Sequence, residues 1–144
     1  MSRFTINEYP QGFSDEVVLK PNDFKSKTAA AETIVYKVPA GTVVTAVGIH
    51  TVTPFDGGSI SGVSIDVGPT GTPQGYIDAM DIGGGGDPYE YSNGDLLNAS
   101  NESVYDMIGN DGKINIKVTP SGDGLANATE GEVKVKLSLV RITG

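Results

Sequence analysis

The sequence predicts an all-β protein, a β-sandwich of jelly-roll-like type, and three observations predict it. Several segments rich in Val, Ile and Thr alternate apolar with polar residues at period two, as half-buried strands do. Gly, Pro, Asn and Asp cluster between those segments, where turns need positive φ or a pre-set φ. No window of about eleven residues or more keeps a 3.6-residue period, so no amphipathic helix competes.

Taken in order, residues 1–32 read as an N-terminal arm holding one short strand, "EVVLK" at 16–20, with Phe4, Phe13 and Phe24 along it. The sandwich is expected over 33–144, and the whole of 1–144 as a single domain. Its strands are "TIVYKVP" (33–39), "TVVTAVGIHTV" (42–52), "ISGVSIDVG" (60–68), "KINIKVT" (113–119) and "EVKVKLSLV" (132–140), with "SVYDMI" (103–108) weaker. That makes roughly seven or eight strands with long loops, which suits a sandwich better than a tight barrel. "YIDAMDI" (76–82) could make one helical turn at most. The turns are "PAG" at 39–41, "DGG" at 56–58, "GNDG" at 109–112 and "SGDG" at 121–124.

Alternation assigns faces. Val133, Val135, Leu137 and Leu139 fall on one side of the last strand and Lys134 and Lys136 on the other. In the strand before it Ile114, Ile116 and Val118 oppose Lys113 and Lys117. Consecutive strands usually pair or neighbour, so these four lysines are expected to crowd one face. Like charges set opposite one another destabilise a sheet, so this face is expected to meet the acidic belt from Asp56 to Asp111, folded over in the same chain or, by preference, reaching across from a neighbour. The three phenylalanines either cover one end of the sandwich or pack on another chain, and in the second case they join the lysines as the expected interaction surface.

Composition narrows the function. With no cysteine, disulfides, thiolate metal sites and cysteine nucleophiles are excluded. The start "MSRFTINEYPQG" has no apolar signal region and no apolar run is long enough to span a bilayer, so a chain made in a cytosol with no membrane partner is expected. The net charge is −8, and the middle of the chain is wholly acidic: between Lys37 and Lys113 there is no Lys or Arg. Such a surface repels phosphate backbones, so no nucleic-acid partner is expected.

The stretch "DIGGGGDPYEYSNGD" (81–95) tests for ligand motifs. It lacks the aspartate position of the calcium nonapeptide and has neither the G-K-S/T ending of a Walker loop nor the strand and helix of a dinucleotide fingerprint. It reads as a long loop, with Asp81, Asp87, Glu90 and Asp95 as a weak oxygen-ligand set for a cation. No cofactor is expected. The sole histidine, His50, lies on a strand with no G-x-S-x-G elbow, and no nucleophile, base and oxyanion donor group together, so an enzyme is not expected. Tyr76, Tyr89 and Tyr91 offer a shallow groove for a glycan or simply pack a loop.

The run 33–82, with "TPFDGG", "VSIDVG" and "TPQGYIDAMDI", and the closing "EGEVKVKLSLVRI" resemble a pattern in small virion structural proteins of tailed bacteriophages. The resemblance implies a jelly-roll-like subunit of capsid decoration, knob or head-fibre type, made in the host cytoplasm and carried on the capsid exterior. It implies capsid or other virion proteins as partners and a homo-oligomer, a trimer by preference. The alternative is a receptor- or glycan-binding β-sandwich module of a fibre or tail.

Overall fold

The computed structural model describes residues 13–71, 74–91, 106–107 and 112–141. Among them are nine strands: β1 (Asp15–Leu19), β2 (Glu32–Lys37), β3 (Thr42–Asp56), β4 (Gly62–Pro69), β5 (Ile77–Asp81), β6 (Tyr89–Tyr91), β7 (Asp106–Met107), β8 (Lys113–Ser121) and β9 (Glu130–Arg141). Two antiparallel sheets form. One runs β1-β9-β3-β6, with β7 also on β3, and the other runs β2-β8-β4-β5. The protein is a β-sandwich, as its alternation predicts.

The inward residues of both sheets make one core. Val44, Val47 and Ile49 of β3 and Val133, Val135 and Leu137 of β9 face Val63, Ile65 and Val67 of β4 and Ile114, Ile116 and Val118 of β8, all buried. Each buried branched side chain contributes on the order of 1.5–3 kcal/mol over exposure, which holds two such faces together without helices.

Turn chemistry works where glycine was expected to supply it. At "DGG" Gly57 has φ 127 and Gly58 φ 58. The backbone of Thr129 lies where a Gly57 side chain would have to go, and its N–H donates to the Asp56 carbonyl at 2.8 Å. This turn therefore locks the β3–β4 connection onto the β8–β9 connection. Asp123 completes the lock, accepting from the Ser59 N–H at 3.0 Å and the Asn127 amide at 2.7 Å.

Several elements differ from the sequence reading. "YIDAMDI" is not a helical turn but strand β5, because Ile77, Met80 and Ile82 fill the core from a sheet edge. The β4–β5 register shifts here, and Ala79 takes φ 51 with its N–H on Asp66 Oδ1 at 2.7 Å. Asp66 thus ties down a bulge. β3 runs on through Pro54 to Asp56, where register shifts spare the missing N–H. Of the candidate strand at 103–108, Asp106–Met107 are described, as β7.

The largest difference concerns residues 13–32, which are built into the sandwich. β1 pairs with β9 along its whole length, Leu19 is 1% exposed and Phe24 4%. After Phe24, the Lys25 and Ser26 N–H groups donate to the Glu32 carboxylate at 2.9 and 3.0 Å, leading the chain into β2.

Candidate interaction surfaces

The four lysines do not share a face. β8 lies in one sheet and β9 in the other, so the 3₁₀ turn at Leu125–Asn127 carries the chain across the core between them. Residues that face outward on the two strands therefore point in opposite directions. Lys113 and Lys117 belong to the outer face of the β2-β8-β4-β5 sheet, and Lys134 and Lys136 to that of the other sheet. The expectation of pairing failed because the adjacency rule does not see a sandwich crossover.

On the β1-β9-β3-β6 face, register sets Val18, Lys134, His50 and Tyr89 in one row across the strands. The next row holds Glu16, Lys136 and Gly48, and Lys136 Nζ lies 3.6 Å from Glu16 Oε2. Lys136 thus finds its acid inside the chain. His50 stacks on Tyr89 with ring centroids 4.6 Å apart and planes at 20°. Tyr89 is 63% exposed, with Val52 and Val140 also open on this face.

Phe13 and Phe24 part company, and Phe4 lies outside the described residues. Phe24 packs edge-on against Phe55 in the chain's own core, which corrects its assignment to an interaction surface: a side chain 4% exposed has no area left for a partner. The Phe13 ring lies over Gly48 on the outer face of β3, its Cζ 2.9 Å from where a Cβ would stand. Glycine at 48 makes the seat. The pair left no signal in the sequence, since Phe13 lies just before β1 and Gly48 on β3, far apart in the chain.

In the glycine loop the acids serve the backbone. Asp81 Oδ1 accepts from the Gly83 N–H at 2.7 Å and Asp87 Oδ1 from the Tyr89 N–H at 3.1 Å. Glu90 sits on β6 opposite Ile49, and Asp95 is outside the described residues. Among the described residues no group of three or more His, Asp or Glu side chains could hold a metal ion. Tyr76 is buried in the core, so it lines no groove with Tyr89.

The described residues also form concavities. One of 380 Å³ opens between the edges β1 and β2, lined by Ser14, Asp15, Tyr36, Lys37 and Arg141. In it the Tyr36 hydroxyl donates to Asp15, and that bond, followed by burial and the Asp15 charge, pushes the phenol above its ordinary value. Another, of 280 Å³, is a shallow trough over Ser64, Ala79, Asp81 and Thr119. Among the residues lining these two, no nucleophile is grouped with a base. Among the described residues no helix is long and apolar enough to cross a membrane.

No protein-family model matches the chain, and no curated protein matches it in sequence. Its fold is similar to that of a chain in the capsid asymmetric unit of cyanophage Pam1, at 16% identity and TM-score 0.54, over 85% of this chain and 79% of that one. A chain of the acid-stable capsid of Helicobacter pylori bacteriophage KHP30 aligns at 16% identity and TM-score 0.40, over 89% and 93%. PliG of Aeromonas hydrophila, a periplasmic inhibitor of g-type lysozyme, aligns at 14% identity and TM-score 0.38, over 96% and 93%. At these identities the Pam1 likeness speaks to the fold alone, and the other two alignments carry no argument.

Proposed function

We propose that this chain is a structural protein of a tailed-bacteriophage virion, mounted on the capsid exterior as a symmetric homo-oligomer. The observation that carries the reading is the fold shared with a chain of the Pam1 capsid along 85% of its length. Strand order supports it. β6 and β7 both run antiparallel to β3 on its free side, β6 at Gly48–His50 and β7 at Val43–Val44, as two pieces of one strand. Counted so, the sheets read in the interleaved order of an eight-strand jelly roll, an architecture common among viral capsid domains.

Mass spectrometry of gradient-purified particles, before and after protease treatment of the intact particles, tests this. The chain should co-purify with the shell and be cut or shed while the shell protein survives. Its absence from purified particles would end the virion reading; protection inside intact particles would end the exterior one. The exposed Tyr89 platform favours one second reading, a glycan-binding module of a fibre or tail. Binding to host-surface glycans that is lost in Tyr89→Ala would select it.

A further inference from the structure

The outer face of the β2-β8-β4-β5 sheet is divided by charge. Toward β2 it carries Lys37, Lys113 and Lys117, and toward β5 it carries Asp66, Asp78 and Asp81. Lys37 and Lys113 stand directly opposite each other in the β2–β8 register, and neither has a carboxylate partner among the described residues. Directly opposed like charges destabilise a sheet, so this pair favours an acidic partner. At the centre Asp66 stands opposite Lys117. Asp78 and Asp81 are exposed on β5, the far edge of the same sheet.

The two edges also differ in backbone. The Val38 N–H donates to the Gly112 carbonyl at 2.9 Å, one step beyond the Lys37–Lys113 pair. In an antiparallel ladder hydrogen-bonded pairs alternate, so Thr33, Val35 and Lys37 turn their N–H and C=O groups away from β8, where no strand among the described residues pairs with them. β2 is six residues long with no proline and an unbroken register, and Val35 on it is 43% exposed. Monomeric sandwiches blunt such edges. β5 is blunted by its bulge and by Ala79, and β2 by the charge of Lys37, which an acidic partner would neutralise.

We propose that the β2 margin of one copy docks on the β5 margin of a second copy, head to tail, setting Lys37 and Lys113 against Asp78 and Asp81. The occupant is a second copy because one sheet carries both halves of the complement on opposite edges. A symmetric β2-to-β2 contact would instead bring lysines toward lysines. The free N–H groups of β2 add donors for the incoming carboxylates, and Val35 adds apolar contact beside them. Head-to-tail contacts generate a ring wherever the rotation closes. The contact rests on the proposed function only for its setting, and it is tested without any particle.

The test is light scattering and sedimentation of the full chain at low and high salt, with circular dichroism to confirm folding. The parent should assemble at low salt and dissociate as salt screens the contact. Lys37→Glu/Lys113→Glu should weaken assembly at least about ten-fold, a loss of about 1.4 kcal/mol. Asp78→Lys/Asp81→Asn should do the same, asparagine keeping the oxygen that accepts from Gly83. Mixed in equal amounts, the two variants should assemble again, since each then finds its complement. Lys134→Glu/Lys136→Glu, on the other sheet, should assemble like the parent. A parent that is monomeric at low salt, salt-independent assembly, a folded reversed variant that assembles like the parent, or a mixture of folded variants that stays monomeric would each overturn the proposal. If a reversal unfolds the chain, Lys37→Gln/Lys113→Gln replaces it with the same expected loss. Presence in purified particles is a separate readout, so failure here leaves the virion reading to its own test.

Discussion

Phe24 and Phe55 meet edge to face in the core, their ring centroids 5.8 Å apart and their planes at 78°. One comes from the segment before β2 and the other from the end of β3, so the pair bolts the N-terminal region to the sandwich. Phe24→Ala should cost about 3–5 kcal/mol, as deletion of a buried aromatic does. A chain beginning at Ala29 loses β1 as well and should not fold. Urea unfolding followed by circular dichroism measures both; a folded, cooperative domain from Ala29 onward would contradict the fold assigned to β1.

Gly48→Ala should separate the Phe13 ring from its seat. The added Cβ meets the far end of a flexible side chain, so the ring yields and the sheet does not. Stability should change by less than about 1 kcal/mol, since alanine also removes the entropic penalty of glycine within a strand. Chymotryptic cleavage after Phe13 should accelerate, and an unchanged cleavage rate would show that the ring was never held there.

Gly57→Ala is expected to be much worse. Gly57 has φ 127, which an L side chain rarely adopts, and the Thr129 backbone blocks the space. A loss of about 1–3 kcal/mol is expected from strain of this kind. Thermal unfolding checks it, with the open Gly62→Ala as the control.

The Asp123 carboxyl is held below its ordinary value of 3.8 by hydrogen bonds from the Ser59 N–H, then the Asn127 amide, then the Gly124 N–H. With the folded value depressed, the ionised form stabilises the fold above the unfolded value, and that contribution is lost as pH falls through the folded one. Asp123→Asn should therefore lower stability at neutral pH and flatten its decline below pH 3.8. Chemical denaturation at pH 7 and at successively lower pH measures this, and parallel acid limbs for the two proteins would contradict it.

Much of the architecture was legible along the chain. The alternation in "KINIKVT" and "EVKVKLSLV" fixed which residues face the core, because period two is a local property of extended backbone. The "DGG" turn was legible for the same reason, since only glycine takes those φ values cheaply. Where the local signal was weak, the reading slipped: "YIDAMDI" has too short an apolar pattern to distinguish a helical turn from a bulged edge strand, and the contact with β4 decides it.

By itself, then, the sequence determined the fold class, the inward faces, the β3–β4 turn and the acidic centre of the chain. Tertiary structure alone decided which outward residues share a surface. The lysines of β8 and β9 look adjacent along the chain yet end on opposite faces, because the connection between them crosses the core. Lys37 and Lys113 lie far apart in sequence yet stand side by side, because β2 pairs with β8. Phe24 looked like arm and became core for the same physical reason. Alternation states that a side chain points in or out, but the identity of its neighbours is set by non-local strand pairing, whose long loop closures leave no periodic trace in the chain.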